Sequence, residues 1–171
     1  MLKKFLFSAL IIFSATEVFA NYAAQKHFSD VEKVGEGRLS VLFFDVYDAT
    51  LYAPKGKWGK ASDYALSLHY FREIESAAIA ERSVEEMQKQ GFGSAEKLEN
   101  WRKKMLEIFP DVKNGSEITA VFLDQKTVIF YADGKFIGEI KDAEFNKYFS
   151  AIWLGEKTSE PGLRRKLLGM L

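Results

Sequence analysis

The chain has 171 residues, with 24 Lys and Arg against 24 Asp and Glu, two His, no Cys, and 47% hydrophobic and 15% aromatic residues. That length and apolar share suit one domain with a sizeable core. The balanced charge argues against a nucleic-acid partner, whose phosphates need a basic excess, and the missing Cys excludes disulfides, thiolate chemistry and a lipid-modified cysteine.

Lys3 and Lys4 precede an apolar run over residues 5–15, broken only by Ser8 and Ser14, and Val18-Phe19-Ala20 follows. This order matches a basic n-region, a short h-region and a small-residue cleavage site. The run is shorter than the roughly 20 residues that cross a bilayer. The expectation is therefore a signal peptide over 1–20 and a mature domain over 21–171. That domain would be periplasmic or secreted, near neutral, and without a stable membrane anchor after cleavage.

Residues 21–30 are polar and without period, and read as a linker or edge segment. Extended character begins at Val31, with Gly35 and Gly37 marking a turn before strands over 39–44 and 46–52. Pro54, Gly56 and Gly59 mark a loop, and 64–71 is a further strand carrying His69, which reads as a satisfied or exposed ring. Ala77, Ala80, Val84 and Met87 then recur at helical spacing, with Gly91 beyond the end. A second helix after Ser94 presents Leu98, Trp101, Met105 and Ile108 and stops at Pro110. Strands follow over 118–123, 127–131 and 136–140, joined by Asp124-Gln125 and by the hairpin signal Asp133-Gly134. Helices over 142–154 and from about Ser159 close the chain. This order predicts an α+β domain, an antiparallel sheet with helices packed on one face.

Generic motifs of chemistry are missing. The two His residues stand in no metal-binding frame, which predicts no metal, and no phosphate loop, dinucleotide fingerprint or nucleophile elbow occurs, which predicts no cofactor. One strand carries mixed cargo. Phe44, Val46, Asp48, Thr50 and Tyr52 share one face, and Phe43, Asp45, Tyr47, Ala49 and Leu51 the other. Two readings stand: an edge strand whose Asp48 and Thr50 satisfy nearby backbone, or polar groups converging on an apolar pocket.

Several blocks in order resemble the bacterial chalcone-isomerase-like proteins: Gly35-Glu36-Gly37-Arg38-Leu39, Val46-Tyr47-Asp48-Ala49-Thr50-Leu51-Tyr52-Ala53, Leu68-His69-Tyr70-Phe71-Arg72-Glu73-Ile74, the stretch 101–110 ahead of Gly115, and Ile152-Trp153-Leu154-Gly155 with Leu163-Arg164 and Leu167-Leu168-Gly169. They run from about Val31 to Leu171. The resemblance implies an open-faced β-sandwich, a large antiparallel sheet covered by helices with a smaller strand set on its other side. It also implies a choice of roles, since plant chalcone isomerases cyclise a chalcone while fatty-acid-binding relatives hold an acyl carboxylate and catalyse nothing.

Carried over residue by residue, the enzymes' early-strand Arg has Arg38 as its nearest counterpart, and their next-strand Thr falls on Tyr47. Their Tyr-x-x-Lys-x-x-x-Asn helix pattern falls on Ile79, Arg82 and Glu86, and a late Thr falls near Ile152. The hydroxyls and amide that polarise the ketone are thus largely replaced, and losing one such donor typically costs about 3 kcal/mol of transition-state stabilisation. The resemblance implies a non-catalytic binder of a small hydrophobic, amphipathic or acyl ligand, with Arg38, Tyr47, Thr50 and Arg82 as ligand-binding residues. The alternatives are an isomerase (intramolecular lyase) acting on an enone or chalcone-like substrate, and a structural or interaction module with a filled cleft. A pairing of Arg38 with Glu36 or Asp48 is the competing account of that residue.

Overall fold

A computed structural model describes residues 15–170. The basic and apolar parts of the proposed leader, residues 1–14, lie outside the described residues. Six strands, β1 (Val31–Val41), β2 (Phe44–Pro54), β3 (Tyr64–Tyr70), β4 (Glu117–Leu123), β5 (Thr127–Ala132) and β6 (Lys135–Lys141), form one antiparallel sheet in sequence order. Among the described residues there is no second strand set. The face where the resemblance placed one carries the helix α1 (Ala15–Gln25) instead.

α1 corrects the first half of the linker reading of residues 21–30, and residues 26–30 run as turns from its end to β1. Ala20, Ala23 and Ala24 are buried against Tyr52, Ala65, Val121 and Tyr131, so three small side chains let the helix lie close on the sheet. The signal was hidden because alanine spacing in a polar stretch carries little hydrophobic contrast. His27, just beyond the helix, pins the end with Nε2 2.8 Å from the Tyr131 hydroxyl.

The other sheet face is covered by α2 (Ser76–Lys89), α3 (Ala95–Ile108), α4 (Ala143–Leu154) and α5 (Pro161–Leu167). Their boundaries follow local chemistry. Ser94 caps α3, and Asp142 caps α4 by accepting from the Glu144 and Phe145 N–H groups at 2.9 and 3.1 Å. Asp142 also accepts from Trp101 Nε1 at 3.1 Å, which fixes α4 against α3. Between the layers the core is aromatic: Phe130, Phe145 and Phe149 pack on one another, with the Phe145 and Phe149 rings stacked at 5.0 Å.

Gly35 and Gly37 do not form a turn. Both lie inside β1, where α5 crosses so closely that a Cβ on Gly35 would sit 2.1 Å from the Lys166 carbonyl oxygen. The turn comes later, at Leu42 and Phe43, which join β1 to β2 with both residues at positive φ.

Candidate functional site

Between the sheet and the helices lies a cavity of about 470 Å³. Its walls are apolar: Leu66, Leu68, Ile118, Ala120 and Phe130 from the sheet, Phe109 after α3, and Phe149 and Ile152 from α4. Val41, Ala78, Arg82 and Glu160 are exposed residues of the lining and mark its rim.

The polar groups are few and sit together. Tyr47 on β2 accepts a hydrogen bond from Trp153 Nε1 at 3.0 Å and retains its own hydroxyl proton for donation. Burial pushes the Tyr47 phenol up to about 12, and burial also raises Tyr70, whose ring meets Tyr47 edge-on at 5.8 Å. Both phenols are therefore donors near neutral pH and not bases. Across from them, α2 supplies Arg82 and Glu86. Glu86 is buried, yet its carboxylate is held by Ser159 Oγ at 2.6 Å, Arg82 at 2.7 Å and Lys89 at 3.0 Å. Burial alone would raise its pKa, but the hydrogen bonds from Ser159 and Lys89 and the charges of Arg82 and Lys89 outweigh it, leaving the carboxyl below its usual range. Arg82 also reaches Glu85 at 3.2 Å, but its side chain stays largely in solvent.

Of the four residues expected to bind ligand, the fold brings Tyr47 and Arg82 to this cavity and sends Arg38 and Thr50 to the opposite sheet face. The pleat decides this: Leu39 lines the cavity, so Arg38 beside it points away. Arg38 instead donates to Asp48 at 2.7 and 2.9 Å and to Asp45 at 2.7 Å, and packs over the Phe71 ring at 4.5 Å. The pairing account of Arg38 thus describes its position. The other carried-over positions, Tyr47, Ile79, Arg82, Glu86 and Ile152, all line the cavity.

The outer face has a smaller, polar hollow of about 280 Å³ bordered by Arg38, Thr50, Ser67, His69, Glu117 and Ala20 of α1. Asp48, His69 and Glu117 stand in register across β2, β3 and β4. Glu117 is 3% exposed, and burial is the main cause that pushes its carboxyl up to about 7, against hydrogen bonds with Thr119 and Ser67. His69 Nδ1 is buried without a hydrogen-bond partner. Sequence reasoning missed Glu117, which sits at the start of a strand with no local pattern to mark it.

Known proteins decide the family. The chalcone isomerase-like family model matches residues 30–169. The chain belongs to the chalcone isomerase-like family. No curated protein matches it in sequence. Among solved structures it is similar to the crystal structure of an Arabidopsis thaliana fatty-acid binding protein, at 14% identity and a TM-score of 0.66, covering 82% of this chain and 88% of that one. In this family member the α+β sheet-and-helix architecture expected from the element order is present, with α1 as the addition on the outer face.

Proposed function

We propose that this protein is an exported, non-catalytic carrier or sensor of a small amphipathic acid, and that the acyl or other apolar part of the ligand occupies the cavity between sheet and helices. The observation that carries the reading is the cavity itself. Its volume of about 470 Å³ lies in the range of about 300–1,000 Å³ typical of small-molecule sites. Its walls are apolar, and its lining includes two donors suited to a carboxylate, the Tyr47 hydroxyl and the largely exposed Arg82 guanidinium, which now pairs with Glu86 and Glu85. A fold neighbour that binds fatty acids is consistent with such use.

Catalysis of ring closure fits the same cavity less well. An isomerase needs donors placed where an enolate oxygen develops, and by the resemblance the plant enzymes' hydroxyls fall on Ile79 and near Ile152. Tyr47, with its pKa raised to about 12, is a poor base near neutral pH. A filled interaction module would lack the volume.

Native mass spectrometry of the purified protein tests the reading. The expected result is a bound acid that leaves on denaturation, together with displacement of a fluorescent fatty acid by unlabelled ones and no turnover of chalcones. Ile79→Trp, which places an indole in the lining, should abolish displacement while the protein stays folded. A protein that carries nothing and displaces nothing would refute the binder, and chalcone turnover above background would replace it with the isomerase. Export rests on the n-region, h-region and small-residue order. It is tested by N-terminal sequencing of envelope-fraction protein, expected to begin at Asn21, so that the mature chain keeps only the end of α1, with Ala23 and Ala24 on the sheet, and loses Ala20.

A further inference from the structure

Two two-residue hairpins in this sheet solve one geometric problem in opposite ways. Asp133 and Gly134 join β5 to β6 with φ of 47° and 76°, using residues that tolerate the left-handed region. Leu42 and Phe43 join β1 to β2 with φ of 49° and 71°, where bulky side chains are strained. Both are also left in water: Leu42 is 81% exposed and Phe43 fully so, with Val41 and Phe44 more than half exposed on either side. At Leu42 and Phe43, the middle of four consecutive apolar residues, strain and exposure coincide without a structural return.

The tip adjoins the cavity. Val41, Leu39 and Val46, immediately behind it, form part of the cavity lining. The exposed Arg72 lies with its guanidinium 4.7 Å from the Phe44 ring centre, with the exposed Glu73 next to it in the chain, while Asp45, next to Phe44, is taken up by Arg38 and Ser40. The tip thus presents an apolar wedge with a cation at its base.

We propose that the β1–β2 hairpin tip docks on a lipid bilayer containing anionic headgroups, with Leu42 and Phe43 entering the interface, Arg72 at headgroup level, and the cavity rim brought to the membrane surface. A narrow convex tip suits a deformable lipid interface better than a preformed protein groove. An apolar wall running from tip to cavity gives an amphipathic ligand a path that avoids water. The docking rests on the binder reading for its purpose alone, since vesicle attachment is measured without any ligand.

The chain has no cysteine, so Leu42→Cys carrying an environment-sensitive dye reports on the tip alone, with the same dye on Lys126→Cys in the β4–β5 turn as reference. Mixed with phosphatidylcholine–phosphatidylglycerol vesicles, the tip dye should shift to the blue and the reference dye should not. Leu42→Asn/Phe43→Gly, which suits the turn better, should bind vesicles at least about tenfold more weakly, since each large apolar side chain withdrawn from water is worth that much or more. It should keep or raise the thermal midpoint and leave fatty-acid displacement intact. An unshifted tip dye overturns the proposal, as does equal vesicle binding by the double variant. A blue shift that depends on protein concentration without vesicles overturns it in favour of a second copy of the chain.

Discussion

Trp153 on α4 donates its indole N–H to the hydroxyl oxygen of Tyr47 on β2 at 3.0 Å, a bond between helix layer and sheet made by two residues of the cavity lining. Replacing Tyr47 by Phe removes the acceptor and leaves the buried indole nitrogen unpaired, which costs about 1–2 kcal/mol. Urea denaturation should show that loss, and titration with a fluorescent fatty acid should show weaker binding, because the hydroxyl proton offered to the ligand is gone too. Unchanged affinity would place the carboxylate elsewhere in the cavity.

Glu117 makes stability depend on pH in an unusual direction. Its folded pKa of about 7 lies above the ordinary carboxylate value of 4.5, so between those limits the folded state holds more proton than the unfolded one. Stability from this group is therefore present below about pH 4.5 and lost as pH rises through about 7, by roughly 3 kcal/mol in total. Glu117→Gln should flatten that slope and be the more stable protein at pH 8. Denaturant midpoints across pH 5–8 measure it, and parallel curves for the two proteins would contradict the assignment.

The glycines of β1 and α5 predict opposite responses to the same change. Gly35→Ala drives a Cβ into the Lys166 and Leu167 carbonyls and should cost about 2 kcal/mol or more as α5 is displaced. Gly162→Ala in α5 meets open space and should be neutral or stabilising by up to about 1 kcal/mol, through helix propensity. Thermal unfolding of the two variants separates close approach from conformational freedom.

The two arginines that the resemblance implies as ligand contacts should also separate. Arg38→Ala breaks exposed ion pairs and the packing over the Phe71 ring on the far face and should change the melting midpoint little and leave fatty-acid affinity unchanged. Arg82→Ala should weaken binding of a fatty acid by about tenfold, the worth of a charge-assisted hydrogen bond, and should affect the corresponding alcohol far less. Equal losses for acid and alcohol would mean that Arg82 serves only to hold Glu86.

Much of the architecture was legible because strong signals are local. The stripes of α2 and α3, the caps Ser94 and Asp142 and the Asp133-Gly134 turn each act within a few residues. Gly35 misled for a physical reason: the same lack of a side chain suits a turn and a place where another backbone passes close, and only the position of α5 tells them apart. Arg38 misled through register, since a one-residue step along a strand exchanges the two faces of the sheet. Glu117 and the Trp153–Tyr47 bond were invisible for a third reason, as both depend on partners far away in the chain.

Because the strands lie side by side in the order they are made, four of the five pairings close through short connections and only β3 with β4 spans a helical excursion. Loop-closure entropy makes distant pairings slow, so β1–β3 and β4–β6 are expected to assemble as separate meanders during refolding. The seam between them would then form last, once α2 and α3 have collapsed, and the cavity, whose walls come from both halves, would exist only after that final union.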